Sequence, residues 1–187
     1  MRLRLDEPIP YGAVLDVTTR VASVRRFWAR RKNLVRDPIG RPVGDTTTDW
    51  IFTDGTGRPS RIPQAMERAF PVAPARTPPD RTDIDDPPAD LTPSLYVVPA
   101  HEIDPRGHAN NAAYLDLFED ALPGLGLDPQ KRPVVYALEY LKPIAAGDAL
   151  ERFVWERPSG AAMIARAADG TIVVRARRDS AVPPERA

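Results

Sequence analysis

The chain has 187 residues, enough for one domain or two small ones. Its 26 basic and 26 acidic residues cancel to zero net charge, which argues against a general nucleic-acid footprint, since that needs a basic excess. Absence of cysteine excludes a disulfide framework, a thiol nucleophile and a Cys-based zinc site, and two histidines argue against a His-rich metal site.

No apolar run approaches membrane-spanning length, and Met1–Asp6 lacks a signal-peptide core. The expectation is a cytoplasmic protein with no membrane partner. From the N-terminus, residues Arg2–Glu7, Ala13–Val24, Arg26–Arg36 and Pro42–Thr53 are extended candidates. In the second, Leu15, Val17, Thr19 and Val21 alternate with Asp16, Thr18 and Arg20, as a half-covered strand requires. Gln64–Phe70 reads as a short closing helix. The run Arg25-Arg26-Phe27-Trp28-Ala29-Arg30-Arg31-Lys32 interleaves basic and aromatic residues, as nucleic-acid stacking surfaces do. At strand spacing it equally forms one charged and one apolar face, and zero net charge favours the strand.

Many of the 22 prolines cluster between Pro71 and Pro93, a stretch with no hydrophobic periodicity that reads as an extended linker. It separates residues 1–70 from 94–180 and leaves 181–187 as a tail. In the second part, Ser94–Ala100 is a strand candidate. Ala112–Leu122 is a helix, with Leu115, Phe118 and Leu122 at helical spacing and Asp116, Glu119 and Asp120 opposite. Asn110 or Asn111 can cap its start, and Pro123-Gly124 ends it. Strands follow at Pro133–Lys142, Ala149–Arg157, Ala161–Ala168 and Thr171–Arg178. In the last, Ile172, Val174 and Ala176 alternate with Thr171, Val173, Arg175 and Arg177.

A short internal repeat links the two parts. Pro8-Ile9-x-x-Gly12-x-x-Leu15 matches Pro143-Ile144-x-x-Gly147-x-x-Leu150, and Gly40 after the next candidate strand pair parallels Gly170. Roughly forty residues with a strand and a helix precede the second Pro-Ile within its half, but only seven residues precede the first. By this reading the first half lacks an initial strand and a central helix. A sheet without a covering helix leaves apolar surface exposed, and such patches seek partners. A start placed too far downstream, a different packing of the first half, and self-association are the three readings left open. A shortened or mis-started first half, with homodimerisation as its remedy, is favoured.

The most chemically loaded stretch is Asp104-Pro-Arg-Gly-His108-Ala-Asn110-Asn111-Ala-Ala-Tyr114. An acid, a Gly turn, a His and two Asn precede a short helix. A base, with backbone N–H groups to hold an oxyanion, is what a hydrolytic site needs. The stretch resembles the active-site segment of hot-dog thioesterases, in which D-x-x-x-H-x-N-N-x-x-Y or D-P-x-G precedes the central helix. Two branches are similar: the tandem hot-dog acyl-ACP thioesterases of plants and bacteria, and the 4-hydroxybenzoyl-CoA thioesterase group. The likeness is dense over 94–150 and includes Leu138-Glu-Tyr-Leu-Lys-Pro-Ile-Ala-Ala-Gly-Asp148. A second patch covers Thr48-Asp-Trp-Ile-Phe52 and Gly57–Pro63.

The resemblance implies an α+β tandem hot-dog with an incomplete first half, acting on acyl thioesters of acyl-carrier protein or CoA in lipid metabolism, without metal or cofactor. It implies that Asp104 attacks the thioester or activates water. A plain alternative is that Asp104 caps its own Pro-x-Gly turn. His108 matches a His that positions or moves a proton; it can also simply bond the loop. Asn110 and Asn111 match the paired Asn, with side chains suited to capping and N–H groups near Asn111 suited to polarising a carbonyl, assisted by the helix dipole. Gly107 lets the loop approach substrate, and Tyr114 packs along the acyl pocket. Arg106 stands where the plant-type pattern has Asn; it can contact a phosphopantetheine or carrier phosphate, or stay solvated. His101 reads as a strand-end residue. The plant-type downstream carboxylate is replaced by Pro143-Ile144, and Glu139 resembles a strand residue. The basic run at 25–32 would suit an acidic carrier protein. Two competitors stand: a non-catalytic acyl-binding or assembly subunit, and a hot-dog dehydratase or hydratase, which would pair Asp and His five apart with Asn-Pro between.

Overall fold

The computed structural model describes residues 1–180; the 181–187 tail lies outside the described residues. The chain forms two compact units, Met1–Arg81 and a second beginning at Thr82. The passage between them falls inside the proline-rich segment.

In the first unit, β1 (Arg2–Leu5), β2 (Asp16–Arg25), β3 (Trp28–Arg36) and β4 (Pro42–Ile51) are the four extended candidates, with ends shifted by one to three residues. They form an antiparallel sheet in the order β2-β3-β4-β1. The basic run is strand and turn. Arg26 and Phe27 make the β2–β3 turn, with Arg26 at a φ of 40°, and Trp28 opens β3, 2% exposed. The helix α1 (Gln64–Ala69) also forms, and none of its residues is buried. The alternation in β2 does not produce a covered face: residues 16–20 are all exposed, and Val17 keeps 54% of its surface. No helix of this unit lies against them to bury that side.

Residues 71–81, read from sequence as part of an extended linker, form no strand or helix and are fastened by hydrogen bonds. The Ala75 N–H donates to the Val24 carbonyl at 3.2 Å. Arg30 Nη1 and Nη2 reach Thr77 Oγ1 and the Pro78 carbonyl, both at 3.4 Å, and the Asp80 N–H donates to Asp49 Oδ2 at 3.0 Å. Arg30 itself grips Asp49 through two bonds of 2.7 Å.

The second unit holds β5 (Ser94–Val97), the helix α2 (Ala113–Glu119), β6 (Val134–Tyr140), β7 (Ala149–Arg157), β8 (Gly160–Ala167) and β9 (Ile172–Ser180). The sheet order is β6-β9-β8-β7-β5, antiparallel throughout. β5 stops at Val97 because Pro99 has no N–H for a ladder, and His101 lies in a one-turn 3-10 segment, Ala100–Glu102, rather than at a strand end. The helix is shorter than Ala112–Leu122. After Glu119 the chain tightens into a 3-10 turn, Leu122–Leu125, with Pro123 in its first turn and Gly126 closing it at a φ of 69°. The buried face is Tyr114, Leu117 and Phe118, at i, i+3 and i+4, so Leu117 and not Leu115 points into the core. Phe118 meets Tyr136 edge to face at 6.4 Å, and Arg152 Nη1 donates to the Leu117 carbonyl at 3.0 Å. β8 is buried along Ala161–Ala165, between β7 and β9.

β9 also departs from simple alternation. Val173 and Val174 are both buried, so this stretch is covered on both faces. Arg178 is only 2% exposed; its Nε meets the Tyr136 hydroxyl at 3.3 Å, and its Nη2 donates to the Asp128 carbonyl at 2.9 Å. A buried charge is tolerable only when it is bonded in this way.

Candidate active site

The Asp104 loop is a closed turn between two extended residues. Ile103 and Ala109 form an isolated antiparallel bridge. The Asp104 N–H donates to the His108 carbonyl at 2.8 Å, and the Gly107 N–H to the Asp104 carbonyl at 2.9 Å. Gly107 has a φ of 83°, which a side chain would strain. Asp104 Oδ1 accepts from the Arg106 N–H at 2.8 Å and the His108 N–H at 3.4 Å. The capping use of this carboxylate is therefore present; Oδ2 has no protein donor among the described residues.

The same turn occurs twice more. In Asp37-Pro-Ile-Gly40-Arg41, Asp37 N–H donates to the Arg41 carbonyl, Gly40 N–H to the Asp37 carbonyl, and Asp37 Oδ1 accepts from Ile39 and Arg41 N–H. In Asp54-Gly-Thr-Gly57-Arg58 the pattern repeats, with Asp54 Oδ1 accepting from Thr56 and Arg58. Both carboxyls are held below the usual carboxylate range. For Asp37, desolvation pulls upward and the bonds from Arg41 and Ile39 together outweigh it. For Asp54, the Thr56 hydroxyl contributes most, and the N–H groups of Thr56 and Arg58 add to it.

Asn110 does two jobs. Its Oδ1 accepts from the N–H groups of Ala112 and Ala113 at 2.8 and 3.1 Å, capping α2. Its Nδ2 donates to the Glu102 carbonyl at 3.0 Å and to Glu102 Oε2 at 3.1 Å. Glu102 was not singled out by the sequence, because a lone Glu ahead of the motif carries no pattern. Its side chain is mostly buried and also lies 3.5 Å from His101 Nε2. Burial, and then the nearby Glu102 charge, raise the Asp116 carboxyl above its ordinary value. Burial raises the Tyr96 phenol, with Glu102, Asp116 and Asp120 adding to the effect.

Hydrogen-bond accounting singles out one group in this loop. The N–H groups of Arg106, Gly107 and His108 serve the turn, those of Ala109 and Asn110 donate to the Ile144 and Glu102 carbonyls, and those of Ala112 and Ala113 go to Asn110. Between Arg106 and Ala113, the Asn111 N–H alone has no protein acceptor among the described residues. The carbonyl of the same peptide unit, that of Asn110, accepts from the Ala113 N–H at 3.2 Å and holds the unit's orientation; the Asn111 carbonyl, in the next unit, accepts from the Tyr140 hydroxyl at 3.3 Å. A fixed, unspent donor is the element an oxyanion needs.

Of the remaining residues singled out by sequence, Tyr114 is core: its hydroxyl donates to the Lys142 carbonyl at 3.2 Å, and its ring meets Tyr140 edge-on at 5.0 Å. Burial pushes the phenols of both tyrosines upward. Arg106, His108 and Asn111 are exposed. Asp104 and His108 are joined through backbone bonds, and Asn110 turns away from them towards Glu102. With seven residues, α2 offers only a short dipole. Among the described residues no group of three or more His, Asp or Glu is placed to hold a metal ion, and no helix is long and apolar enough to cross a membrane.

Residues 87–175 match the family model of the acyl-ACP thioesterase C-terminal domain. This chain resembles the hot-dog-fold thioesterases. A Lactobacillus plantarum structure named as an oleoyl thioesterase superposes with a TM-score of 0.80 at 19% identity, over 97% of this chain and 74% of that one. A 12:0-ACP thioesterase from Umbellularia californica gives 0.73 at 18% identity, over 96% and 72%. A MaoC-like dehydratase from Phytophthora capsici gives 0.65 at 15% identity, over 96% and 69%. Identities this low establish the fold and leave the reaction open. No curated protein matches the sequence at a significant level.

Proposed function

We propose that this protein hydrolyses acyl thioesters, carried on acyl-carrier protein or CoA, to a free acid and a thiol. The observation that carries the reading is the unspent Asn111 N–H, in a peptide unit held by the Ala113 N–H bond to the Asn110 carbonyl, beside the Asp104–His108 turn and within the segment that matches the thioesterase domain. The architecture we assign is a tandem hot-dog whose first half lacks a strand and helix, working as a homodimer in the cytoplasm.

In this mechanism the thioester carbonyl oxygen sits on the Asn111 N–H. Asp104 Oδ2 removes a proton from water as the water oxygen attacks the carbonyl carbon. The oxyanion collapses, the C–S bond breaks, and the thiolate recovers the proton from Asp104, with His108 relaying or orienting it. Asn110 holds the loop in register through its cap and through Glu102. Gly107 keeps the turn low, Tyr114 fills the base of the acyl site, and Arg106 faces the phosphate of the thiol carrier.

One observation favours a second reading. Asp104 is bonded as Asp37 and Asp54 are, and those two close ordinary hairpins. If Asp104 is only a turn residue, the protein binds acyl thioesters without cleaving them. Free-thiol release from a panel of acyl-CoA and acyl-carrier-protein thioesters, for wild type and Asp104→Asn, separates the two. We expect turnover that falls at least a hundredfold in the variant. Turnover unchanged in Asp104→Asn would remove Asp104 from the mechanism, and Asp116→Asn then tests the raised carboxyl. Binding without turnover in folded wild type would establish the second reading.

A further inference from the structure

In the second unit, β7 has β5 along its outer edge, with Ser94 to Val97 opposite Arg152 to Ala149. The strand in the same place of the first unit's order is β2. Among the described residues its outer edge is met only near its end, where the Ala75 N–H bonds to the Val24 carbonyl. A bulge between Val21 and Ser23 sets the limit of the open part. Asp16 to Arg20 are exposed, and neither Asp16 nor Arg20 joins an ion pair among the described residues. Arg20 faces Lys32 across the β2–β3 pair, an unfavourable like-charge neighbour. A long open edge of this kind is a template for another strand.

We infer that residues 15–21 pair antiparallel with the same residues of a second copy of this chain, about a two-fold axis through Thr18. The sequence itself selects that register. Asp16 then stands opposite Arg20 of the second copy, and Arg20 opposite its Asp16. Thr18 meets Thr18 on the same face. On the other face Leu15 meets Val21 and Val17 meets Thr19, each pair twice. Charge falls on charge of opposite sign, and apolar or β-branched residues fall on one another. Sliding the pairing by one residue puts Val17 opposite Arg20 and Asp16 opposite Val21, which mixes the two faces. The interface is isologous, as a closed dimer requires. It supplies to β2 the neighbour that β5 supplies to β7, and each Arg20 gains a carboxylate against its Lys32. The inference rests on the strand edge and is independent of the thioesterase reading.

The test uses Asp16→Arg and Arg20→Asp in the full chain, with sedimentation equilibrium as the readout and circular dichroism to confirm folding. Wild type should be a dimer. Asp16→Arg places only cations on the edge and Arg20→Asp only anions, so each alone should dimerise about tenfold or more weakly. Mixed in equal amounts, the two variants should form a heterodimer of wild-type affinity, because every cross-copy pair is again Arg with Asp. A wild type that stays monomeric overturns the inference. So does a dimer indifferent to both substitutions, and so does a failure of the two folded variants to associate on mixing.

Discussion

Strands β1–β4 and β6–β9 follow one order, and the turns at Gly12 and Gly147 share left-handed φ values of 79° and 81°. The outcome for their surfaces differs. β8 is buried from Ala161 to Ala165, whereas in its counterpart β3 only Trp28 is buried. The difference lies in what each sheet is given to hold. In the second unit, Tyr114, Leu117 and Phe118 of α2 are buried, and β5 closes an edge. In the first, no residue of α1 is buried, the buried apolar side chains are Trp28, Val43 and Ile62, and polar fastening runs through Arg30, Asp49 and the 77–80 segment. Strand order alone does not make a core; apolar area must be supplied from another element.

The largest expected effect tests that contrast directly. Phe118→Ala removes a fully buried ring that meets Tyr136, and should cost about 3–5 kcal/mol in urea unfolding. Val17→Ala, on the open sheet, should change stability by no more than about 0.5 kcal/mol, measured where the chain is monomeric. Equal losses at the two positions would show that the first sheet is covered after all.

Asn110→Ala comes next. It removes the α2 cap and the Glu102 contact together, for a loss of about 1.5 kcal/mol. Asn110→Asp keeps the cap acceptor, removes the donor and sets a carboxylate against Glu102, so it should recover only part of the loss. Because the Asn111 peptide follows directly, both variants should also lower thiol release more than they lower the population of folded protein. A loss of stability with unchanged turnover would confine Asn110 to structure.

Much of this organisation was legible in sequence. The strands could be placed to within a few residues because alternation and turn residues mark them locally. The helix face was less legible: Leu115, Leu117 and Phe118 are all apolar, and periodicity over two turns cannot choose between the first two. Arg178 reads as a surface strand residue, since its partners at 128, 131 and 136 are fixed only by the fold. Likewise the grip of Arg30 on residues 77–80 spans almost fifty positions. The dual bond of Asn110 to Glu102 has a faint signal at best, an acid eight residues upstream. The Asp104 turn had a clearer one. Asp37-Pro-Ile-Gly40 shares Asp-Pro-x-Gly with Asp104-Pro-Arg-Gly107, and both close the same hydrogen-bonded turn.

The smallest expected effect lies in the first unit's polar fastening. Burial alone would raise the Asp49 carboxyl, but its two Arg30 bonds and the Asp80 N–H more than offset this and hold it below its ordinary value. The folded protein therefore binds the Asp49 proton more weakly than the unfolded chain does. This stabilisation is fully present above the unfolded carboxylate's pKa and is lost as pH falls through the lower, folded value. Asp49→Asn should be about 1 kcal/mol less stable than wild type at neutral pH, a modest figure because the pair keeps some solvent contact. The gap should close on acidification, when wild type carries a neutral carboxyl at the same place. Thermal unfolding of both proteins across the acid range measures it. A gap that persists at low pH would mean that the substituted amide is simply a poor fit beside Arg30, and that the 77–80 segment is held by packing and not by the charge of Asp49.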